Sequence, residues 1–592
     1  TYKVEGIPAI KNSEVARLFY DPSAIKSNLI WDSDTKNRRM LITDVTNNIY
    51  LLSSPLSQPV KLIDKVIPYS LKTNPNGESF AYTSDHEDQD NFVLYLYDFK
   101  EKTPKKLVNL TGKDESIDSF IWSKTGDSLY YTRVDYESKT SKLCHYDFQT
   151  EKCYSIELKG AWNVLDSDQN KILLKYWKAS SSQFLFVYDL QSNKLTSIDE
   201  KGNNRKAFLV GDRVFWATDG NETCGKESCM FTLNLKNDKL TRLNLPENLQ
   251  NLNDIKISPE GNSLLVQETR EGVDYLRVFR LKNGKLGKEI PSFISPSFVI
   301  WNTRWLTDNE VVYTLENIGK PASIQSYNID TKKFTDWTKE RLPAQLENKV
   351  TAPKVFKWKS FDQKEISGYI VRPSKQEKKS PVLIFVHGGP QILDRPVFSS
   401  QDLRLVANLG LTIIHTNIRG SSGFGKEFMD ADNKEKRGDA VKDIQSLLDW
   451  VEKQADLDAN KIFLRGESYG GFIALSTALQ EPNRIKAVIA EYPLVSIRGM
   501  LGQSWVNESA KSEYGDPADE QLMKKLALFL ALAFVLGIPV SSKAQTVGQT
   551  TDKVVKKTNK GVHKGWWKGK RIGKKTWHGT KYVGRKIKRA VY

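Results

Sequence analysis

Along the first 350 residues, short apolar runs alternate with polar turns, and no long amphipathic stretch interrupts them. The turns fall at Thr35-Lys36-Asn37, Asn76-Gly77, Thr125-Gly126, Asp168-Gln169-Asn170, Gly211-Asp212, Glu260-Gly261 and Asp308-Asn309. Taken at 36, 77, 126, 169, 212, 261 and 309, they are 41, 49, 43, 43, 49 and 48 residues apart, which is a blade-length period. Most lead into a β-rich run such as Ser79-Phe80-Ala81-Tyr82 or Leu264-Leu265-Val266, and a further run closes on Tyr97-Asp98, Tyr146-Asp147, Tyr188-Asp189 or Tyr327-Asn328. Period-two alternation between turns predicts antiparallel sheets. Seven copies predict an all-β, seven-bladed propeller over 1–350, with a stacked β-sandwich array as the alternative. Trp31, Trp122, Trp177, Trp216 and Trp301 are expected in blade cores rather than on a binding platform. His86 and His145 lack metal-spaced partners and read as surface or turn residues. The propeller is a candidate gate or docking surface, and its sequence names no ligand.

After Lys349-Val350-Thr351-Ala352-Pro353 the elements lengthen and alternate strand with helix. Val355–Trp358 and Ile366–Val371 read as an antiparallel pair, and Pro381–Val386 as a buried strand. Further strands are expected at Leu411–Asn417, Ile462–Leu464 and Ala487–Ala490. Ala440, Val441, Ile444, Leu447, Leu448 and Val451 share one helical face. The pattern predicts a doubly wound α/β sheet over 351–522. His415, inside an apolar strand, is expected to be a satisfied core histidine rather than a base.

Candidate chemistry sits at Gly466-Glu467-Ser468-Tyr469-Gly470-Gly471, between a strand and a helix, which is the context of a nucleophile elbow. A serine hydroxyl is a poor nucleophile until a base takes its proton, and the elbow holds Ser468 where a histidine can reach it. The strand ending at Val386 runs into His387-Gly388-Gly389-Pro390, whose free N–H groups would face a developing oxyanion together with the N–H of Tyr469. These two stretches and Asn417-Ile418-Arg419-Gly420-Ser421-Ser422-Gly423-Phe424-Gly425, at these separations and behind a propeller, make residues 1–522 resemble the prolyl oligopeptidase family of serine peptidases, in its acylaminoacyl-peptidase and dipeptidyl-peptidase branches. The resemblance implies hydrolysis of short peptides through an acyl-enzyme on Ser468, without a cofactor or metal, and a propeller that limits access by larger proteins. It also places His387, with Gly388 and Tyr469, at the oxyanion site; the alternative is that the loop contributes only its backbone. An esterase of the same fold, and a propeller binding module carrying a relic hydrolase, are the rival readings.

In this fold the triad acid and histidine follow the serine, each after a later strand. Here no apolar strand leading to either residue follows Glu513-Tyr514-Gly515-Asp516-Pro517, so the hydrolase domain reads as incomplete and little or no turnover is expected. Asp552 and His578 lie 84 and 110 residues beyond Ser468; they are the weak candidates for acid and base, without strand context.

Charge sharpens the boundary. The net charge of +17 arises beyond residue 522: from Met523 to Tyr592 there are 18 Lys and Arg against one acid, Asp552, while residues 1–522 carry 70 of each sign. The larger part therefore gives no electrostatic reason to bind nucleic acid. Met523-Lys524-Lys525, a fifteen-residue apolar run to Val540, and a small-residue site ending at Ala544 have the layout of a secretory signal peptide over 523–544. The run is short for a membrane span. The expectation is a second reading frame joined at Met523 to a peptidase that breaks off near Leu522, with a native internal anchor as the alternative. The Lys- and Trp-rich tail 545–592 is expected to be mostly disordered; contact with an anionic membrane or nucleic acid is its alternative role. The sequence opens at Thr1 without a methionine, consistent with a removed signal segment or a fragment. Cys144 with Cys153, and Cys224 with Cys229, form local pairs that suggest disulfides and a secreted or periplasmic location, the alternative being buried thiols. Neither pair has zinc spacing.

Overall fold

The computed structural model describes residues 29–494, with short interruptions, and part of 511–521. Seven four-stranded antiparallel blades run over 29–63, 70–106, 115–159, 162–199, 203–243, 252–290 and 299–336. The fourth and fifth touch through one parallel bridge, Gln183 to Asn203. All seven turns that set the sequence period join the first strand of a blade to the second. The Tyr-Asp and Tyr-Asn pairs end third strands, and their side chains close the next turn. Asp98 Oδ1 accepts the N–H of Lys100 at 2.7 Å, Asp189 Oδ1 that of Ser192 at 2.8 Å, and Asn328 Oδ1 that of Thr331 at 2.9 Å.

Among the described residues each blade is contiguous in sequence, so side chains close the ring. Ile30, Met40, Ile42 and Leu52 of the first blade pack on Leu306, Val312, Ile324 and Trp337 of the seventh. Arg38 forms two bonds of 2.9 Å with Glu310, and Arg304 Nε donates to Asp32 at 3.0 Å. Trp122 and Trp216 are buried in blade cores as expected. Trp301 departs from expectation, because it lies where the second domain docks, beneath the Arg395 guanidinium at 4.4 Å. His145 also departs: it sits within a strand, stacked on Tyr130 at 4.7 Å, and burial pushes its imidazole below the usual range.

The second domain is a six-stranded sheet in the order Lys354–Lys359, Glu365–Val371, Thr412–Asn417, Ser380–Val386, Leu457–Glu467, Ile485–Glu491. The first two strands pair antiparallel, the second meets Thr412–Asn417 antiparallel, and the remaining neighbours are parallel. Alternate residues enter two cores. Val382, Ile384 and Val386 face the helices Arg437–Glu452 and Tyr469–Gln480. Leu383 and Ile413 face the helix Ser400–Leu409 through Val406, and Ile318 of the propeller joins that second core. Arg395 also reaches into the propeller, pairing with the fully buried Asp274.

Cys229 is disulfide-bonded; Cys224 lies outside the described residues. Cys144 corrects the expectation, since it is a thiol buried in the third blade with its Sγ 3.8 Å from the Lys142 carbonyl oxygen. Register explains this: Cys144 stands opposite Ser155 and Cys153 opposite Tyr146, and such a diagonal offset is wider than a disulfide spans.

Trp337 is fully buried at the ring closure, and its Nε1 donates to Ser326 Oγ at 3.0 Å. Trp337→Ala should therefore cost about 3–5 kcal/mol, read as a lower urea midpoint for loss of β-sheet circular dichroism. An unchanged midpoint would show that the ring closes without it.

Candidate active site

Ser468 stands between the strand Leu457–Glu467 and the helix Tyr469–Gln480, with φ +51° and ψ −113°. A non-glycine residue holds such a conformation only where its surroundings enforce it. Here the Ser468 N–H donates to the Glu491 carbonyl at 2.8 Å, and its own carbonyl accepts from Phe472 and Leu494 at 3.1 Å. Glycines are obligatory on both sides. A Cβ on Gly466 would lie 2.1 Å from the Gly470 oxygen, and one on Gly470 would lie 2.0 Å from the Val386 oxygen.

The second contact brings the neighbouring strand's loop to Ser468. A Cβ on Gly388 would meet the Glu467 oxygen at 3.1 Å and Ser468 Cβ at 3.4 Å. The N–H groups of Gly388 and of Tyr469, in the unbonded first turn of its helix, are thus the donors available to an oxyanion beside Ser468. The His387 ring is turned to structural use, with Nδ1 2.7 Å from the Gly388 oxygen and Nε2 2.9 Å from Ser421 Oγ. Burial lowers its pKa; the Gly388 carbonyl can only accept, so Nδ1 carries the proton of the neutral ring, while Ser421 Oγ also donates to the Ile418 carbonyl at 2.6 Å. The third motif enters here: besides Ser421, the Ser422 N–H donates to the Ile392 carbonyl at 3.2 Å. Its Arg419 is anchored on Asp443 at 2.8 Å and Asp362 at 3.0 Å.

A buried polar cluster that the sequence reading missed ties the elbow to the loop. Tyr469 Oη donates to Asp432 at 2.7 Å, and Tyr514 Oη donates to the Gly389 carbonyl at 2.9 Å. Between them lies Arg437, 1% exposed, which donates to Glu513 Oε1 at 2.9 Å and stands 3.7 Å from Asp432. Its guanidinium covers the rings of Tyr469 and Tyr514 at 5.0 and 4.3 Å. Gln391 Nε2 also donates to Glu513, at 2.8 Å. Burial, reinforced by Asp432, raises Glu513 to about 8, and burial against the opposing pull of Arg437 leaves Asp432 at about 6. One signal was present: Arg437 lies four residues before Val441, on the helix's apolar face.

His415 is a core residue as expected, but a charged one. Its Nδ1 is 2.9 Å from Asp394 and its Nε2 3.1 Å from Asp402, and the ring stacks on Tyr369 at 4.4 Å. Burial alone would lower its pKa; the two carboxylates outweigh that and raise it to about 10. Both described histidines of this domain are thus committed away from Ser468. Asp552 and His578 lie outside the described residues.

An exposed serine on a strand-to-helix turn, faced by free loop amides on a parallel sheet and capped by a propeller, defines the class of propeller-bearing α/β-hydrolases. Comparison then fixes the family. The model of the prolyl oligopeptidase family matches residues 396–531, and that of the prolyl oligopeptidase N-terminal β-propeller domain matches residues 69–340. The chain belongs to the prolyl oligopeptidase family, whose members are serine peptidases. It is 26% identical over 265 residues to dipeptidyl aminopeptidase BIII of Pseudoxanthomonas mexicana, covering 41% of this chain and 38% of that protein. It is 24% identical over 369 residues to a prolyl endopeptidase of Elizabethkingia miricola, covering 60% and 50%. It is 25% identical over 170 residues to the human acylamino-acid-releasing enzyme, covering 28% and 23%. The chain thus spans half or less of the length of these relatives. Among solved structures, prolyl oligopeptidase B of Galerina marginata superposes with a TM-score of 0.72 at 16% identity, covering 87% of this chain and 79% of that one.

Two outcomes follow. Arg437→Met leaves two buried carboxyls without their cation and should cost about 3–5 kcal/mol at pH 8, read by thermal unfolding. The cost should shrink at pH 5, where both carboxyls bind protons. His415 has a folded pKa near 10 against about 6.5 unfolded. Its contribution is therefore complete below pH about 6.5 and lost as pH rises towards about 10. The urea midpoint should fall across that window in the natural chain, and His415→Asn should flatten the fall.

Proposed function

We propose that this protein is, by descent, a serine peptidase of the dipeptidyl- or acylaminoacyl-peptidase type, acting on short peptides through an acyl-enzyme on Ser468. The observation that carries the reading is the contact between the Ser468 elbow and the Gly388 loop, which a binding domain has no reason to build. In that reaction Oγ attacks the scissile carbonyl carbon as its proton passes to a base. The oxyanion takes the N–H groups of Gly388 and Tyr469, the C–N bond breaks as the amine regains a proton, and water then releases the acyl group.

The general base and its orienting acid are the parts this chain does not supply among its described residues, and turnover by the 592-residue chain is therefore little or none. The propeller restricts access to short peptides. The bonded Cys229 supports an oxidising, secreted or periplasmic setting.

Dipeptidyl and N-acetylalanyl p-nitroanilides test both halves. The natural chain should show no hydrolysis above that of Ser468→Ala. Replacing everything after residue 521 with the C-terminal segment of the acylamino-acid-releasing relative should restore amide cleavage. Sustained, Ser468-dependent turnover by the natural chain would overturn the missing base. Ester cleavage alone in the repaired chain would favour an esterase.

A further inference from the structure

The first strand of each blade lines the central channel, and its ion pairs identify a charged ring there. Asp32 of the first blade accepts Arg304 of the seventh at 3.0 Å. Asp254 of the sixth blade holds Lys256 of its own strand and stands 3.6 Å from Lys206 of the fifth. Asp166 of the fourth pairs at 3.3 Å with Lys124, in the first turn of the third. Lys72 of the second blade interacts through space with Asp32, Asp166, Arg304 and Lys206. Those residues belong to the first, fourth, seventh and fifth blades, and side chains of non-adjacent blades meet only in the channel.

The ring has a definite level. Asp32, Lys72, Asp166 and Lys256 each stand two positions before the residue that opens the first turn of their blade, namely Asp34, Asn74, Asp168 and Ser258. The hydrolase domain touches the opposite end, through Gly272, Asp274, Glu316 and Ile318 at the second hairpins. The ring therefore lies towards the outer mouth. Its backbone is pinned: Trp122 Nε1 donates to the Lys72 carbonyl at 2.9 Å and Trp305 Nε1 to that of Lys256 at 3.2 Å.

Within the ring Lys72, Lys124, Lys206, Lys256 and Arg304 face Asp32, Asp166 and Asp254. Arg304 is committed to Asp32 and to the Trp31 and Thr303 carbonyls. Lys206 and Lys256 share Asp254, and Lys124 takes Asp166. Of the ring's cations Lys72 has no ion pair among the described residues, and burial lowers its pKa, so an anion beside it would gain from weak solvent competition.

We propose that this ring is an anion site for one carboxylate, of the kind a short peptide presents at its C-terminus, with Lys72 as the direct contact. A single ammonium without an ion pair, Lys72, suits a monoanion. A phosphate dianion would want a free guanidinium fork, and Arg304 is already bonded. The site needs no working Ser468 and stands independently of the peptidase reading.

The test is calorimetric titration of the full-length chain, at low ionic strength, with N-acetyl-trialanine and with its C-terminal amide. The acid should bind and the amide should not. Acetate should compete, and inorganic phosphate should bind no more tightly than acetate. Lys72→Met should weaken the acid by about tenfold, the loss of one charge-assisted contact, and Lys72→Arg should restore most of it. Lys72→Gln serves if the methionine variant fails to fold, judged by its thermal transition. Equal binding of acid and amide, unchanged binding in the Lys72 variants, or tighter binding of phosphate would overturn the site. Loss of acid binding in Ser468→Ala would instead place the carboxylate in the hydrolase domain and would equally refute it.

Discussion

The active-site end of the hydrolase domain depends on one steric constraint: three backbone segments pass closer than a methyl group allows. Gly470 lies under the Val386 carbonyl and Gly466 under that of Gly470, while Gly388 packs in tight contact with the Glu467 oxygen beside Ser468. No side chain enters that space, so the elbow and the oxyanion loop cannot shift independently. The left-handed conformation of Ser468 follows from it, because the chain must turn from strand to helix within one residue. The constraint places Ser468 beside the Gly388 and Tyr469 amides without any contribution from the propeller.

Around this contact the protein uses buried cations as fasteners. Arg437 joins the helix behind the elbow to the Glu513-Tyr514 turn, Arg419 joins the third motif to that helix, and His415 binds the loop after Pro390 to the helix Ser400–Leu409. Arg395 does the same between domains. Each is strongly held only while its carboxylate partners remain, since a lone buried charge costs several kcal/mol. The geometry of the site is thus coupled to protonation some distance from Ser468.

The repeating architecture was legible in the sequence because its signals are local. The turn spacing, the Asx-closed third strands and the glycine-rich motifs are each written within a few residues. The elbow and the Gly388 loop were legible for the same reason, Gly466 and Gly470 being sterically required and Gly389 holding a φ of +119°. What escaped depends on distant pairing. The partners of Arg437 and Arg395 lie 76 and 121 residues away. His415 reads as an apolar-strand residue until Asp394 and Asp402 are folded against it. Cys144 reads as half of a pair until the hairpin register sets it two positions from Cys153. Trp301 reads as blade core until the second domain arrives.

The central claim is that Ser468 is positioned but not activated. Reaction of the purified chain with a fluorophosphonate probe, followed by peptide mapping, tests it directly, because the probe requires an activated serine and no particular substrate. The account predicts no labelling at Ser468 at neutral pH. Labelling at Ser468 that is lost in His578→Ala would contradict it, by showing that the tail completes a working site.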